Sequence, residues 1–234
     1  MHSRLYGLTS HPDVTRFEVE DGIVRNAVAT LLGDETTINT VVVDVGASVR
    51  EATLEDPNLN PDALHDVMIA IHAEVEADSE PPNLAELVAD VAVVGGSWSI
   101  SSTELAELEK PWVGTASPGP KVTAFARPTD ADSPRYRAGI AELARETATT
   151  LGDVGSRVVH VEGTPGSFST AISFWFPNPD AAKAAWDRDG FAPLIASDLI
   201  DQHSLALLEA TEHVLAPNPN TWVTTSGVEP SPAE

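Results

Sequence analysis

The chain has no cysteine. Disulfides, thiolate nucleophiles and cysteine-ligated zinc or iron–sulfur centres are therefore excluded. Lysine is nearly as scarce, with Lys110, Lys121 and Lys183 the full set, and 13 basic residues stand against 36 acidic ones for a formal charge of −23. Nucleic acid is not an expected partner, because phosphate contacts need clustered Lys and Arg. Anionic membrane surfaces are disfavoured for the same reason. No apolar run approaches the ~20 residues that span a bilayer, and the opening Met-His-Ser-Arg-Leu-Tyr-Gly has no apolar signal core, so a cytoplasmic location is expected. The sequence also lacks a G-x-G-x-x-G or Walker loop, a G-x-S-x-G elbow, an H-E-x-x-H helix motif and an EF-hand loop. Neither a cofactor nor a metal is expected.

What the chain does have is a repeated closing phrase. Ser-Thr-Glu-Leu-Ala-Glu-Leu at Ser102–Leu108 and Ala-Thr-Glu-His-Val-Leu at Ala210–Leu215 place Glu104 and Glu212 108 residues apart, the length of a small α+β module. Each phrase ends a run that opens with a short strand-like segment, Ser3–Thr9 in one and Lys121–Arg127 in the other. This is the signature of tandem duplication. Two acidic readings stay open: a surface adapted to high salt, or a very soluble protein whose self-repulsion costs some stability.

The second repeat, residues 121–217, reads as β-α-β-β-α-β, the ferredoxin-like order. Its strands are Lys121–Arg127, Arg157–Glu162, Phe168–Phe176 and Leu205–Leu215. One helix runs to about Leu151 and another begins near Ala181 after Pro177-Asn178-Pro179-Asp180. The first repeat, residues 1–108, fits the same order: strand Ser3–Leu8, helix Val14–Leu32, strand Ile38–Val45, helix Asn83–Val94 and closing strand Trp98–Leu108. Its third strand is ambiguous, since Leu64–Val75 is compatible with helical and with alternating periodicity. Register with the second repeat selects a strand. Residues 109–120 read as a linker and residues 218–234 as a disordered tail. The expected fold class is α+β: two ferredoxin-like repeats closing into a barrel within one chain.

Several stretches of the second repeat resemble the EthD-like family of the dimeric α+β barrel superfamily. They are KVTAFARP from Lys121, FSTAISFWF with the following PNPDAAKAAW, DGFAPLIASDLID from Asp189, and LEATEHVL, and the resemblance covers about Lys121–Pro217. It implies a pocket between sheet and helices for a hydrophobic small molecule, often aromatic. It also implies a cofactor-independent enzyme of monooxygenase, isomerase or lyase type, or else a non-catalytic accessory protein that binds such a molecule. Members often carry a His in the first helix; the corresponding AELARETATTL has none.

Among candidate catalytic residues His213 comes first, because it shares a strand face with Thr211, Glu209 and Leu207 and a neutral imidazole suits general acid–base work. The plain alternative is a histidine satisfied by backbone. His160 shares a face with Glu162; a solvated strand face is the plain account. His203 follows Asp198 and Asp201, where charge attraction suffices. His72, Glu74 and Glu76 would alternate along one strand, but in-line alternation spaces them roughly 6.5–7 Å apart and does not converge on a metal. Tyr136, Phe174, Trp175, Trp186 and Phe191 are the expected ligand wall of a pocket lying mainly in the second repeat, core packing being the default for such aromatics. A hydrophobic small molecule is the expected partner, and a homodimer is left open.

Overall fold

The computed structural model describes residues 2–34, 38–50, 67–73, 84–106, 120–130, 134–152, 154–162, 168–187 and 189–215. The expected linker and tail lie almost wholly outside these residues. Each half starts with a strand and a helix. β1 is His2–Ser10, and α1 (Arg16–Glu20) opens on Thr15, whose Oγ1 accepts the Glu18 N–H while the Glu18 carboxylate accepts the Thr15 N–H. This reciprocal cap satisfies two helix-end donors. A π-helical segment, Asp21–Ala27, follows directly, then α2 (Val28–Asp34). β2 (Ile38–Arg50), β3 (Val67–Ala73), the short α3 (Leu84–Val88) and β4 (Ala92–Ala106) complete the first repeat.

The second repeat runs β5 (Pro120–Ala126), α4 (Pro134–Thr150), β6 (Gly155–Glu162), β7 (Thr170–Trp175), α5 (Pro179–Asp187), α6 (Ala192–Ala196) and β8 (Ala206–Leu215). Pro134 starts α4, where a missing N–H costs nothing, and Gly152 at φ 104° stops the chain two residues past its end.

All eight strands form one closed antiparallel barrel in the order β1-β3-β2-β8-β5-β7-β6-β4. Each repeat supplies a ferredoxin-like quartet, β4-β1-β3-β2 or β8-β5-β7-β6, and the quartets join at two seams, β2 with β8 and β4 with β6. The fold is thus a dimeric α+β barrel in a single chain. The phrase that revealed the duplication sits at the seams: Glu212 stands opposite Asp44, and Glu104 opposite Val158. The ambiguous third element is a strand, Val67–Ala73. The expected second helix is the main correction. Only Leu84–Val88 is helical, and Ala92-Val93-Val94 already belongs to β4, where β-branched side chains suit a pleated surface.

Alternation along the strands divides the side chains between two environments. On one side, Val122, Ala124, Val158, Ile172, Phe174 and Leu207 pack with Ile140, Ala144, Phe191 and Leu194 of the helical layer. A matching core under the first repeat's helices joins Tyr6, Leu8, Val41, Val43 and Val45 to Val19, Ile23, Val28 and Leu31. On the other side, Leu5, Trp98, Phe125, Val161, Phe168, Ala171, Leu208 and Ala210 form a cluster that, among the described residues, includes no helical side chain. That third cluster fills part of the barrel interior.

Candidate functional site

His213 lies on the helix-facing side of β8, at the seam with β2, where it stands opposite Val43. Its partner comes from the other repeat. Nε2 lies 3.2 Å from Glu20 Oε1 at the end of α1, with the His213 side chain 21% and the Glu20 side chain 40% exposed. The distance is that of an ion pair, although the ring and carboxylate are not aligned for a hydrogen bond. Glu20 is the last residue before the π-helical segment, a geometry found disproportionately at functional sites. Phe17, one turn earlier on the same helix, is 71% exposed. The pair, its carboxylate partly exposed and its imidazole Nε2 buried, thus stands beside an uncovered aromatic ring.

His160 occupies the helix-facing side of the other seam strand, β6, across from Ser102 of β4. The expected solvated face is corrected here: His160 is half-buried and meets the Tyr136 ring edge-on, with centroids 6.4 Å apart. The two residues are linked by a third. Tyr136 Oη hydrogen-bonds Thr170 Oγ1, which lies 3.4 Å from His160 Nδ1. Burial raises the Tyr136 phenol above its ordinary value, against the opposing effect of the Thr170 bond.

The proposed aromatic wall does not form as one surface. Phe174 and Trp175 are neighbours on a strand and must point to opposite sides. Phe174 packs against Phe191 at 5.8 Å, and Trp186 against Phe191 at 4.4 Å, all within the helical layer. Trp175 faces the barrel interior. Asp198 and Asp201, expected near His203, pair with Arg135 and Arg127, and Asp201 also accepts the His203 backbone N–H. Glu74 and Glu76 lie outside the described residues. Among the described residues no group of three His, Asp or Glu side chains could hold a metal ion.

Sequence reasoning missed a cluster inside the barrel. Asp44 of β2 and Glu212 of β8 face one another across the seam, and Lys121 of β5 reaches both. Its Nζ lies 3.0 and 2.7 Å from the two Asp44 oxygens and 2.8 Å from Glu212 Oε2. Trp175 Nε1 donates to Glu212 Oε1 at 3.1 Å, and the Arg157 guanidinium of β6 lies 5.3 Å from the Trp175 ring centre. Two carboxylates directly opposite on paired strands repel; the ammonium between them makes the seam tenable. Burial raises the Asp44 carboxyl, and the nearby Glu212 adds to the effect while Lys121 opposes it. For Lys121 burial pulls downward, but attraction to Asp44 and Glu212 prevails, so the ammonium is held above its ordinary value. Next to this charged layer, Thr123 and Ser173 share a buried 3.1 Å hydrogen bond, and beyond them the Phe125, Phe168 and Trp98 rings close the interior. The available signal was an aspartate inside the apolar run Val41–Val45.

No family model matches the chain, and no match is found among curated proteins. Solved structures do match over nearly the whole length. An anthrone oxidase-like protein aligns with 95% of this chain and 96% of its own, at a TM-score of 0.53 and 11% identity. A "putative monooxygenase" from Fusobacterium nucleatum subsp. nucleatum aligns with 92% and 94%, at 0.50 and 12%. The likeness is one of fold.

Proposed function

We propose that this protein is a cofactor-independent enzyme of EthD-like, monooxygenase type that acts on a hydrophobic small molecule, with His213 as its acid–base residue. The observation that carries the reading is the His213–Glu20 pair beside the π-helical segment. His213 accepts a proton from an acidic C–H or O–H of the substrate, and the Glu20 carboxylate, 3.2 Å from Nε2, stands where it can pair with the imidazolium that results. Phe17 supplies an apolar contact one turn away. The electron-rich anion so formed can itself reduce dioxygen, which is why oxygen chemistry of this kind needs proton removal more than it needs a metal. The fold shared with an anthrone oxidase-like protein makes anthrone the natural first probe. One anthrone and one dioxygen yield one anthraquinone and one water.

Anthraquinone formation should be followed spectrophotometrically with dioxygen uptake. His213→Ala is expected to lower turnover by about 10²–10⁴-fold, the usual contribution of one positioned acid or base, with the fold intact by circular dichroism. Glu20→Gln should lower the rate less than His213→Ala. Unchanged turnover in His213→Ala would refute the assignment.

A further inference from the structure

α1 brings a second charged side chain to the seam where His213 stands. Arg16 and Glu20 are four residues apart, so they lie one above the other on the same side of the helix. Both reach the β2–β8 junction. Glu20 meets His213, and the Arg16 guanidinium donates through Nη2 to the Val45 carbonyl at 2.8 Å. Strand register makes the two contacts neighbours: Val43 stands opposite His213, and Val45 opposite Thr211, two residues before His213 on the same strand face. Four helical residues rise about 6 Å and two strand residues advance about 6.5–7 Å, so helix and strand keep step here. The Arg16 head is set one such interval from the imidazole.

The bond to Val45 anchors the guanidinium without neutralising it, because the acceptor is an uncharged carbonyl. Among the described residues Arg16 enters no ion pair, and Glu20, its neighbour on the helix, is paired with His213. Arg16 is exposed and Phe17 beside it is 71% exposed, so a molecule from solvent can reach both. When His213 takes a proton from a C–H beside a carbonyl, the C–H bond breaks, its electron pair enters a C=C bond, and the carbonyl oxygen gains the negative charge. A fixed cation near that oxygen stabilises the charge as it develops. The fork has further N–H donors beyond the one on Val45, in a plane that suits an oxyanion. We infer that Arg16 is the oxyanion-holding residue of the His213 site, and that the substrate is a ketone that passes through its enolate. This rests on His213 as the proton acceptor.

Anthracene-9-carboxylate is the probe, a flat aromatic anion whose charge sits on exocyclic oxygens as that of an anthrone enolate does, and anthracene-9-carboxamide is its uncharged control. Both are titrated into the full-length protein and followed by anthracene fluorescence. The carboxylate should bind about tenfold more tightly, or better, as expected for a charge-assisted bond. Arg16→Ala should erase that preference, and Arg16→Lys, which keeps the charge but not the fork, should retain part of it. In anthrone turnover Arg16→Ala should lower kcat by about 10–100-fold with KM little changed, the mark of a bond made mainly in the transition state. Guanidinium ion at millimolar concentration should restore part of that rate where equal sodium chloride does not. Anion binding needs no turnover, so unchanged turnover in His213→Ala would overturn the proton-transfer reading and still leave the anion preference in place. Failure of the carboxylate to bind, equal affinity for the two probes, a preference that survives Arg16→Ala, or full turnover in Arg16→Ala would overturn the inference.

Discussion

Lys121→Met removes the ammonium that separates two buried carboxylates and leaves the methylene stem in place. Asp44 is 7% and Glu212 2% exposed, so neither can recover its lost partner from water. Breaking a buried ion pair from one side typically costs about 3–5 kcal/mol, because the remaining charge is uncompensated. For a chain of this size that corresponds to a melting temperature lower by about 6–20 °C. The variant Lys121→Met with Asp44→Leu and Glu212→Leu should regain most of this loss, since apolar replacement of a whole buried cluster is often neutral or stabilising. The pH dependence follows from the same geometry. Lys121 is held above its ordinary 10.5, so its contribution is whole below 10.5 and disappears as pH climbs through the higher folded value. Asp44 is held above its ordinary 3.8, so its contribution is whole below 3.8 and is lost as pH rises through its folded value. Urea titrations read by circular dichroism should therefore show an alkaline loss in the wild type, beyond pH 10.5, that is reduced in Lys121→Met. A single variant as stable as the wild type at neutral pH, or a triple variant as damaged as the single, would refute the reasoning.

Gly46→Ala should destabilise the same seam, since an added Cβ would sit 2.1 Å from the Glu209 carbonyl oxygen and 2.8 Å from Ala210; a denaturation midpoint no lower than wild type would count against the close β2–β8 approach. Tyr136→Phe removes one buried hydrogen bond to Thr170 and should cost about 0.5–1.5 kcal/mol in chemical denaturation. The Tyr136 phenol, held above its ordinary 10.0 by burial, should ionise above pH 10.0 in an alkaline absorbance titration, and its component should be missing in Tyr136→Phe.

The strand order of each repeat was legible because turns, apolar periodicity and the repeated phrase agreed with one another. Even the ambiguous Val67–Ala73 was decided correctly by register, a constraint from outside the segment. The Leu84–Val94 stretch was not, since Leu, Ala and Val serve both periodicities and the switch to strand depends on pairing with β1, which begins at Ala92. Nor could the π-helical segment be read, because its sequence carries the same apolar spacing as an ordinary helix. The Asp44–Lys121–Glu212 cluster escaped for a different reason. Its members lie 77 and 91 residues apart and meet only when the barrel closes, so no local spacing announces them. Strand parity alone, however, separates Phe174 from Trp175 and forbids a single aromatic wall.

The two seams are made of different materials. At one, Asp44, Glu212 and Lys121 make an electrostatic lock inside the barrel; at the other, the interior side of β6 carries Arg157 in register with Leu105 and no such carboxylate pair stands in register among the described residues. An assembly of two identical chains would be obliged by its symmetry to carry every feature twice. Joining the halves covalently lifts that obligation. One junction is then free to specialise in holding the molecule closed while the other drifts, and a ligand site can exist in a single copy with a definite orientation relative to the lock.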